Sequence, residues 1–359
     1  KFLLIKLGNL PLQGISFCIA IFTSLGTLRR HRGRPKKFRI KIATRYLILI
    51  ILLSIFSYTF FIFKIAYQLP TPNRLTNSQP LTSEFYDRND KLLYRLYEDR
   101  NRILIKLSEL PPYLIQATIA IEDKNFYKHS GVDPVAITRA FYNNWKNNNG
   151  LQGASTITQQ LVKNTLLTPE KTYSRKLKEI VLAFWAEKVY SKEDILQMYF
   201  NEAPYGGPTW GVEAAAETYF GKSAKTLNLA ESTYLAGLPA SPTEYSPYGT
   251  TLEPGKIRQK EVLDRMVEEK YITKEQAEDA QQQSLDIKLP QNQIQAAHFV
   301  MYVKDYLSKK YGSRLVTQGG LKIYTTLEIE LQQNLEKIVA EEVNKLTALN
   351  VKNGAAMVT

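Results

Sequence analysis

From Tyr46 to Phe63 the chain reads YLILIILLSIFSYTFFIF, a run without a single charge. At 1.5 Å per residue a helix over this run is about 27 Å long, close to the hydrocarbon thickness of a bilayer. A transmembrane helix is therefore predicted over 46–68. Directly before it, RRHRGRPKKFRIKIATR at 29–45 holds nine Lys/Arg and no acid, so it supplies most of the formal net charge of +13. Basic residues flank spans on the cytoplasmic side, which places 1–45 inside as a single-pass tail and everything after about residue 68 outside. The adjacent span accounts for the basic run without nucleic acid. Residues 7–28 are also uncharged, but Gly8, Asn9, Pro11, Gln13 and Gly14 interrupt them. A first span, an interfacial helix and an unstructured tail all fit.

The remainder is long enough to bury a sizeable core, since 44% of the 359 residues are hydrophobic. A single cysteine, Cys18, excludes an intrachain disulfide framework and a CxxC zinc site. Three histidines scattered at 31, 129 and 298 offer little to a metal cluster or a Ser/His/Asp triad. Carboxylates are the better candidates for chemistry.

The segment 69–107 reads as an extracytoplasmic linker and a short hairpin, SEFYDRNDKLLYRLY, turning at Asn89-Asp90 where Asn-Gly would be more comfortable. Across 108–290 the pattern is helical, with start signals at Pro111-Pro112, Thr156 with Gln159, Thr168-Pro169-Glu170, Ser191 with Asp194, and Thr273 with Gln276. In 291–359, HFVMYVKDYL and LEIELQQNLEKIVAEEVNKL are predicted helices, and GGLKIYTT and NGAAMVT predicted strands. The fold class expected is mainly α.

Within the helical part, IEDKNFYKHSGVDP at 121–134 ends an apolar run on two acids, Glu122 and Asp123. Taken alone, such a pair is a solvated helix end. GASTITQQLVKN at 153–164 opens a helix with hydroxyls and places Gln159, Gln160 and Lys163 at helical spacing on one face, a pattern suited to an anion. SRKLKEIVLAFWAEKVY at 174–190 puts Arg175 and Lys176 four and three residues before Glu179, which on its own is an ordinary set of surface ion pairs. FNEAPYGGPTWGVEAAAETYFGK and LNLAESTYLAGLPASPTEYSP signal tight packing.

Together, in this order, EDKNFYKHSGVD, GASTITQQLVKN, RKLKE, NEAPYGGPTWGVEAAAETYFGK and LAESTYLAGLPASPTEYSP closely resemble the five motifs of the peptidoglycan glycosyltransferases, glycosyltransferase family 51, as found in class A penicillin-binding proteins. The resemblance covers roughly 80–359. It implies a membrane-anchored, partly lysozyme-like helical domain over 108–290 that polymerises lipid II at the outer face of the bacterial cytoplasmic membrane, with cell wall synthesis proteins as further partners. By the resemblance Glu122 is the base toward the acceptor hydroxyl, and Glu179 lies near the donor pyrophosphate. A carboxylate there makes physical sense if it orients a cation, whether Lys176, Arg175 or a divalent metal such as Mg or Mn. Thr156, Gln160, Lys163 and Asn164 would hold phosphates and donor sugar, while Asp123, Phe126 and His129 complete the first motif. His129 is read as positioning, because Glu122 already fills the base role. No organic cofactor is implied.

Ala154 stands where many family members have Gly, a small change at a turn. Neither Ser-x-x-Lys nor a KTG or KSG triplet occurs, so the resemblance does not extend to the acyl-serine transpeptidase site. Because 291–359 resembles the entry to that domain, the chain reads as a bifunctional protein cut short. Two other classes remain: a muramidase-like hydrolase using a glutamate as general acid, and a non-catalytic membrane scaffold.

Overall fold

The computed structural model describes residues 46–57, 59–60, 67, 69–76, 79–146, 155–168, 170, 172–249, 251–289, 294–356 and 358. The tail 1–45, with its apolar stretch and basic run, and residues Gly153, Ala154 and Pro169 lie outside them. The chain divides into two units, one ending at Tyr67 and one beginning at Gln68. In the first, 46–57 and 59–60 are helical, and apolar side chains from Tyr46 to Phe56 are exposed. Among the described residues no helix is long and apolar enough to cross a membrane; part of the predicted span, 58 and 61–66, lies outside them.

The second unit is mainly helical. Strands β1 (Ser83–Tyr86) and β2 (Leu92–Leu96) form the expected hairpin. Its turn is not a two-residue Asn-Asp loop: the Asp87 N–H donates to the Lys91 carbonyl, and Asp90 takes the left-handed conformation at φ 62°. The Asp87 carboxylate accepts from the N–H groups of Asn89 and Lys91, which holds the longer turn without glycine. A second small sheet joins β3 (Asn101–Arg102), β4 (Pro204–Gly206) and β5 (Thr209–Trp210) in the order β3-β5-β4. Strand β6 (Lys322–Tyr324) lies parallel to β1, so the C-terminal segment shares a sheet with the lead-in hairpin. Phe85, Leu93, Val300 and Ile329 bury a small core beneath that sheet.

The helices are α1 (Pro112–Glu122), α2 (Pro134–Lys146), α3 (Ile157–Leu166), α4 (Tyr173–Val189), α5 (Lys192–Glu202), α6 (Val212–Phe220), α7 (Leu229–Gly237), α8 (Pro242–Tyr245), α9 (Glu253–Glu268), α10 (Lys274–Gln282), α11 (Ala297–Tyr311), α12 (Ser313–Gln318) and α13 (Ile329–Lys345). Proline at its first position starts α1, and complete capping boxes start α3, α5 and α10 at Thr156, Ser191 and Thr273. α4 does not start at Thr168-Pro169: its cap is Thr172, whose hydroxyl accepts from the Arg175 N–H. The described residues of NGAAMVT form no strand. A strand needs a ladder partner, and among the described residues the sheets end at β2, β3, β4 and β6.

One core sits between α1, α7, α9 and α10, where Ala117, Ala120, Ala230 and Ala236 meet Val262, Leu263 and Met266. Such small side chains let the helix axes close on one another. On the other side of the site α3 packs against α4 and α5. The sheet is tied to the helices by Arg95 of β2, which pairs with Glu84 at 3.1 Å and with Glu217 of α6.

Candidate active site

Glu122 is the last residue of α1, and its side chain is 7% exposed. One carboxylate oxygen accepts from the Gln160 amide of α3. The other lies 3.8 Å from the Arg258 guanidinium of α9 and makes no hydrogen bond among the described residues. Burial pushes the Glu122 carboxyl above the ordinary carboxylate value, while Gln160, Arg258 and Lys163 pull it back.

The next residue has different partners. Asp123 is buried, and both of its oxygens lie 3.0 Å from Nε2 of His129. It also accepts from the Ile157 N–H, the first of α3, at 3.1 Å. The positive end of α3 is thus met by a carboxylate from within the protein, and not left open to an external anion as the sequence suggests. Thr156 is equally committed: its hydroxyl donates to the Gly131 carbonyl at 2.6 Å and accepts from the Gln159 N–H. Phe126 is fully buried beneath the Lys192 ammonium, 4.3 Å from the ring centroid, and Lys192 donates to the His129 carbonyl. His129 is held from both ends, a geometry that supports positioning.

Gly131 follows from the same packing. Its φ is +86°, and a Cβ there would meet the Ala183 carbonyl oxygen of α4 at 2.5 Å. The first motif can therefore lie directly on α4.

Glu179 of α4 is fully buried, and its two oxygens are taken by Arg175 at 3.2 Å and by Lys176. The Lys176 ammonium also donates to the Ser155 hydroxyl at 2.8 Å, which joins α4 to the entry of α3. Lys163 is exposed, forms no ion pair among the described residues, and lies within the field of both Glu122 and Glu179. Two carboxylates and three cations therefore share the region between α1, α3 and α4. A divalent cation finds no ready donor set, because both Glu179 oxygens are occupied and among the described residues no three His, Cys, Asp or Glu converge.

Residues 89–267, about half the chain, match the family model described as Transglycosylase. The chain belongs to the transglycosylase family. Its domain is that of glycosyltransferase family 51, as carried by class A penicillin-binding proteins. Penicillin-binding protein 1A of Aquifex aeolicus is 39% identical over 292 residues, which take in 80% of this chain and 40% of that protein. For penicillin-binding protein 1A of Vibrio cholerae the identity is 36% over 297 residues, with 82% and 35% covered. A crystal structure of penicillin-binding protein 1A from Haemophilus influenzae is 24% identical with a TM-score of 0.42, covering 74% of this chain and 29% of that one. The chain spans well under half the length of these relatives.

Within the transglycosylase domain Glu122 meets Gln160, Glu179 meets Arg175 and Lys176, and Lys163 lies in the field of both carboxylates. Asp123, Phe126, His129 and Thr156 form the buried frame between them. Asn164 is half-buried within α3, and its side chain makes no hydrogen bond among the described residues. Gln159 does not share the face of Gln160 and Lys163: it is fully buried, and its amide oxygen accepts from the Thr156 N–H. Three residues that sequence reasoning did not single out also belong here: Arg258, Ser155 and Tyr199, whose hydroxyl approaches the Gln160 amide oxygen at 3.5 Å. Arg258 lies on KIRQKEVLDRM, a charged amphipathic helix with no local signal; only helix packing reveals it.

Proposed function

We propose that this chain is a peptidoglycan glycosyltransferase that polymerises lipid II into β-1,4 glycan in bacterial cell wall synthesis. The observation that carries the proposal is a buried carboxylate, Glu122, with Arg258 at 3.8 Å and Lys163 in its field, in a transglycosylase domain whose second buried carboxylate, Glu179, holds Arg175 and Lys176. In the reaction the acceptor 4-hydroxyl oxygen bonds to the anomeric carbon of the donor as the bond from that carbon to the lipid pyrophosphate breaks. The hydroxyl proton passes to Glu122, and the leaving pyrophosphate carries away the electron pair. Attack opposite an α-linked leaving group inverts the centre, so no covalent enzyme intermediate is needed. Negative charge grows on the pyrophosphate, and Lys163, Arg175 and Lys176 are the groups to receive it, the last two held in place by Glu179. These cations supply positive charge from side chains.

The partly lysozyme-like frame follows from the family. The exposed apolar residues between Tyr46 and Phe56 support an anchor over 46–68 in the cytoplasmic membrane, with the basic tail inside and the domain outside. Lipid II, the growing glycan and the bilayer are then the partners, along with other cell wall synthesis proteins.

One observation favours a second reading. Burial raises the Glu122 pKa, as a muramidase-like hydrolase with a protonated glutamate would need. Incubating the chain and its Glu122→Gln variant with lipid II in detergent, with and without Mg²⁺, separates the two. Polymer that disappears in the variant by a factor of about 10² to 10⁴ in rate supports the transferase. Cleavage of preformed glycan with no polymer from lipid II replaces it with the hydrolase, and an inert but folded chain leaves either a scaffold or a domain that depends on the rest of a longer protein.

A further inference from the structure

We propose that Arg258 is a positioning residue for this site, its guanidinium keeping the Glu122 carboxylate ionised while leaving one oxygen free to accept the hydroxyl proton. The inference rests on the proposed role of Glu122 as base. A base buried to this depth faces two conflicting demands. It must stay charged although burial favours the neutral acid, and it must keep a lone pair unoccupied although buried oxygens ordinarily acquire donors.

Arg258 meets both demands through its distance. Gln160 holds one Glu122 oxygen by a hydrogen bond, which fixes the carboxylate. The other oxygen has no hydrogen-bond donor among the described residues and faces the Arg258 guanidinium at 3.8 Å, near enough for strong attraction and too far for a hydrogen bond. The guanidinium is kept at that remove by its other contacts: it pairs with Glu261 at 2.8 Å and lies 5.9 Å from the centroid of the Tyr245 ring. Its Nε is buried and makes no hydrogen bond among the described residues.

The backbone makes room for this arrangement. α1, α7 and α9 close on alanines, and a Cβ at Gly237, the last residue of α7, would meet the Arg258 Cγ at 2.8 Å. Gly237 thus gives the arginine stem its passage to Glu122. The other charged or titratable groups acting on Glu122 or acted on by it are Lys163 of α3, Asp123 beside it, and the buried hydroxyls of Tyr199 in α5 and Tyr205 in β4. Of the two cations only Arg258 is within ion-pair distance of Glu122 among the described residues.

The test compares Arg258→Met, Arg258→Lys and Gly237→Ala in the full chain in detergent. Two quantities are read: titration of Glu122 by ¹³C NMR with carboxyl-labelled glutamate, assigned by its loss in Glu122→Gln, and the acid limb of the pH–rate profile for lipid II polymerisation. In Arg258→Met both midpoints are expected to move up by about 1 to 2 pH units, and in Arg258→Lys to stay near the parent. Gly237→Ala keeps the charge and shifts the arginine, so a smaller upward move is expected, and it carries the test if the Met variant does not fold. A general loss of rate with both midpoints unmoved overturns the inference. A shifted Glu122 titration without any polymerisation by the parent chain sinks the glycosyltransferase reading instead, and unshifted titration in a polymerising enzyme sinks only the role of Arg258.

Discussion

The Ile157 N–H donates to the Asp123 carboxylate at 3.1 Å, so the first turn of α3 closes on the end of α1. Because Asp123 follows Glu122 directly, this bond fixes where the neighbouring carboxylate can point. The two acids that end the apolar helix thus divide the work: one locks the frame, and the other faces the cations.

Asp123→Asn tests the lock. The amide keeps the size and one acceptor but loses the charge that suits the α3 N-terminus and His129. A loss of about 1.5 to 3 kcal/mol of stability is expected from hydrogen bonds to a charged group. Urea unfolding followed by circular dichroism reads it, and an unchanged midpoint would show that Asp123 holds nothing together.

Gly131→Ala should destabilise by at least about 2 kcal/mol, combining left-handed backbone strain with a methyl placed against a carbonyl. The clash is with the Ala183 backbone of α4, which cannot rotate away as a side chain would. Thermal unfolding is the measurement. Equal stability would mean that the first motif can lift off α4 at no cost.

What was legible in the sequence was mostly local. The Thr156, Ser191 and Thr273 caps bond to the residue three further on, so both partners fall within one short word of sequence. The hairpin, β6 and the helices at α11 and α13 were equally readable from periodicity. Contacts between distant segments were not. Asp123 filling the α3 N-terminus depends on a residue 34 positions away, and local pattern alone therefore suggested an open anion site. β3 and β5 are two residues each, too short to carry an alternating pattern. Gln159 lies at the spacing that would put it beside Lys163, yet the capping box draws it inward. The placement of α9 against α1, and with it Arg258, follows from alanine contacts that no single segment announces.

Glu179 is expected to act through Arg175 and Lys176. Removing its charge by Glu179→Gln leaves both cations on the protein but unclamped, so transfer should fall at least about tenfold with the fold retained. Lys176→Met alone should also slow transfer, and the double variant should lose less than the sum of the two, with a coupling of about 0.5 to 3 kcal/mol. Rates of lipid II consumption for the four proteins give the cycle. Simple additivity would mean that the carboxylate works independently of Lys176.

A pH effect on stability is expected away from the catalytic residues, at the junction of β2 and α6. Burial pushes the Glu217 carboxyl up from 4.5 to about 7, with Glu84 and Glu213 adding to the rise and Arg95 opposing it. A carboxyl that binds its proton more tightly when folded stabilises the fold at low pH. That contribution is complete below about pH 4.5 and is lost as pH rises through about 7. The change across this window is about 3 kcal/mol, taken as an order of magnitude. Glu217→Gln removes the titration while keeping the shape, so the variant should gain stability relative to the parent as pH rises from 5 toward about 7.5 and hold a constant difference above that. Denaturant midpoints at a series of pH values measure the difference directly. A difference that does not change with pH would show that Arg95 holds Glu217 ionised throughout, and the junction would then be an ordinary ion pair.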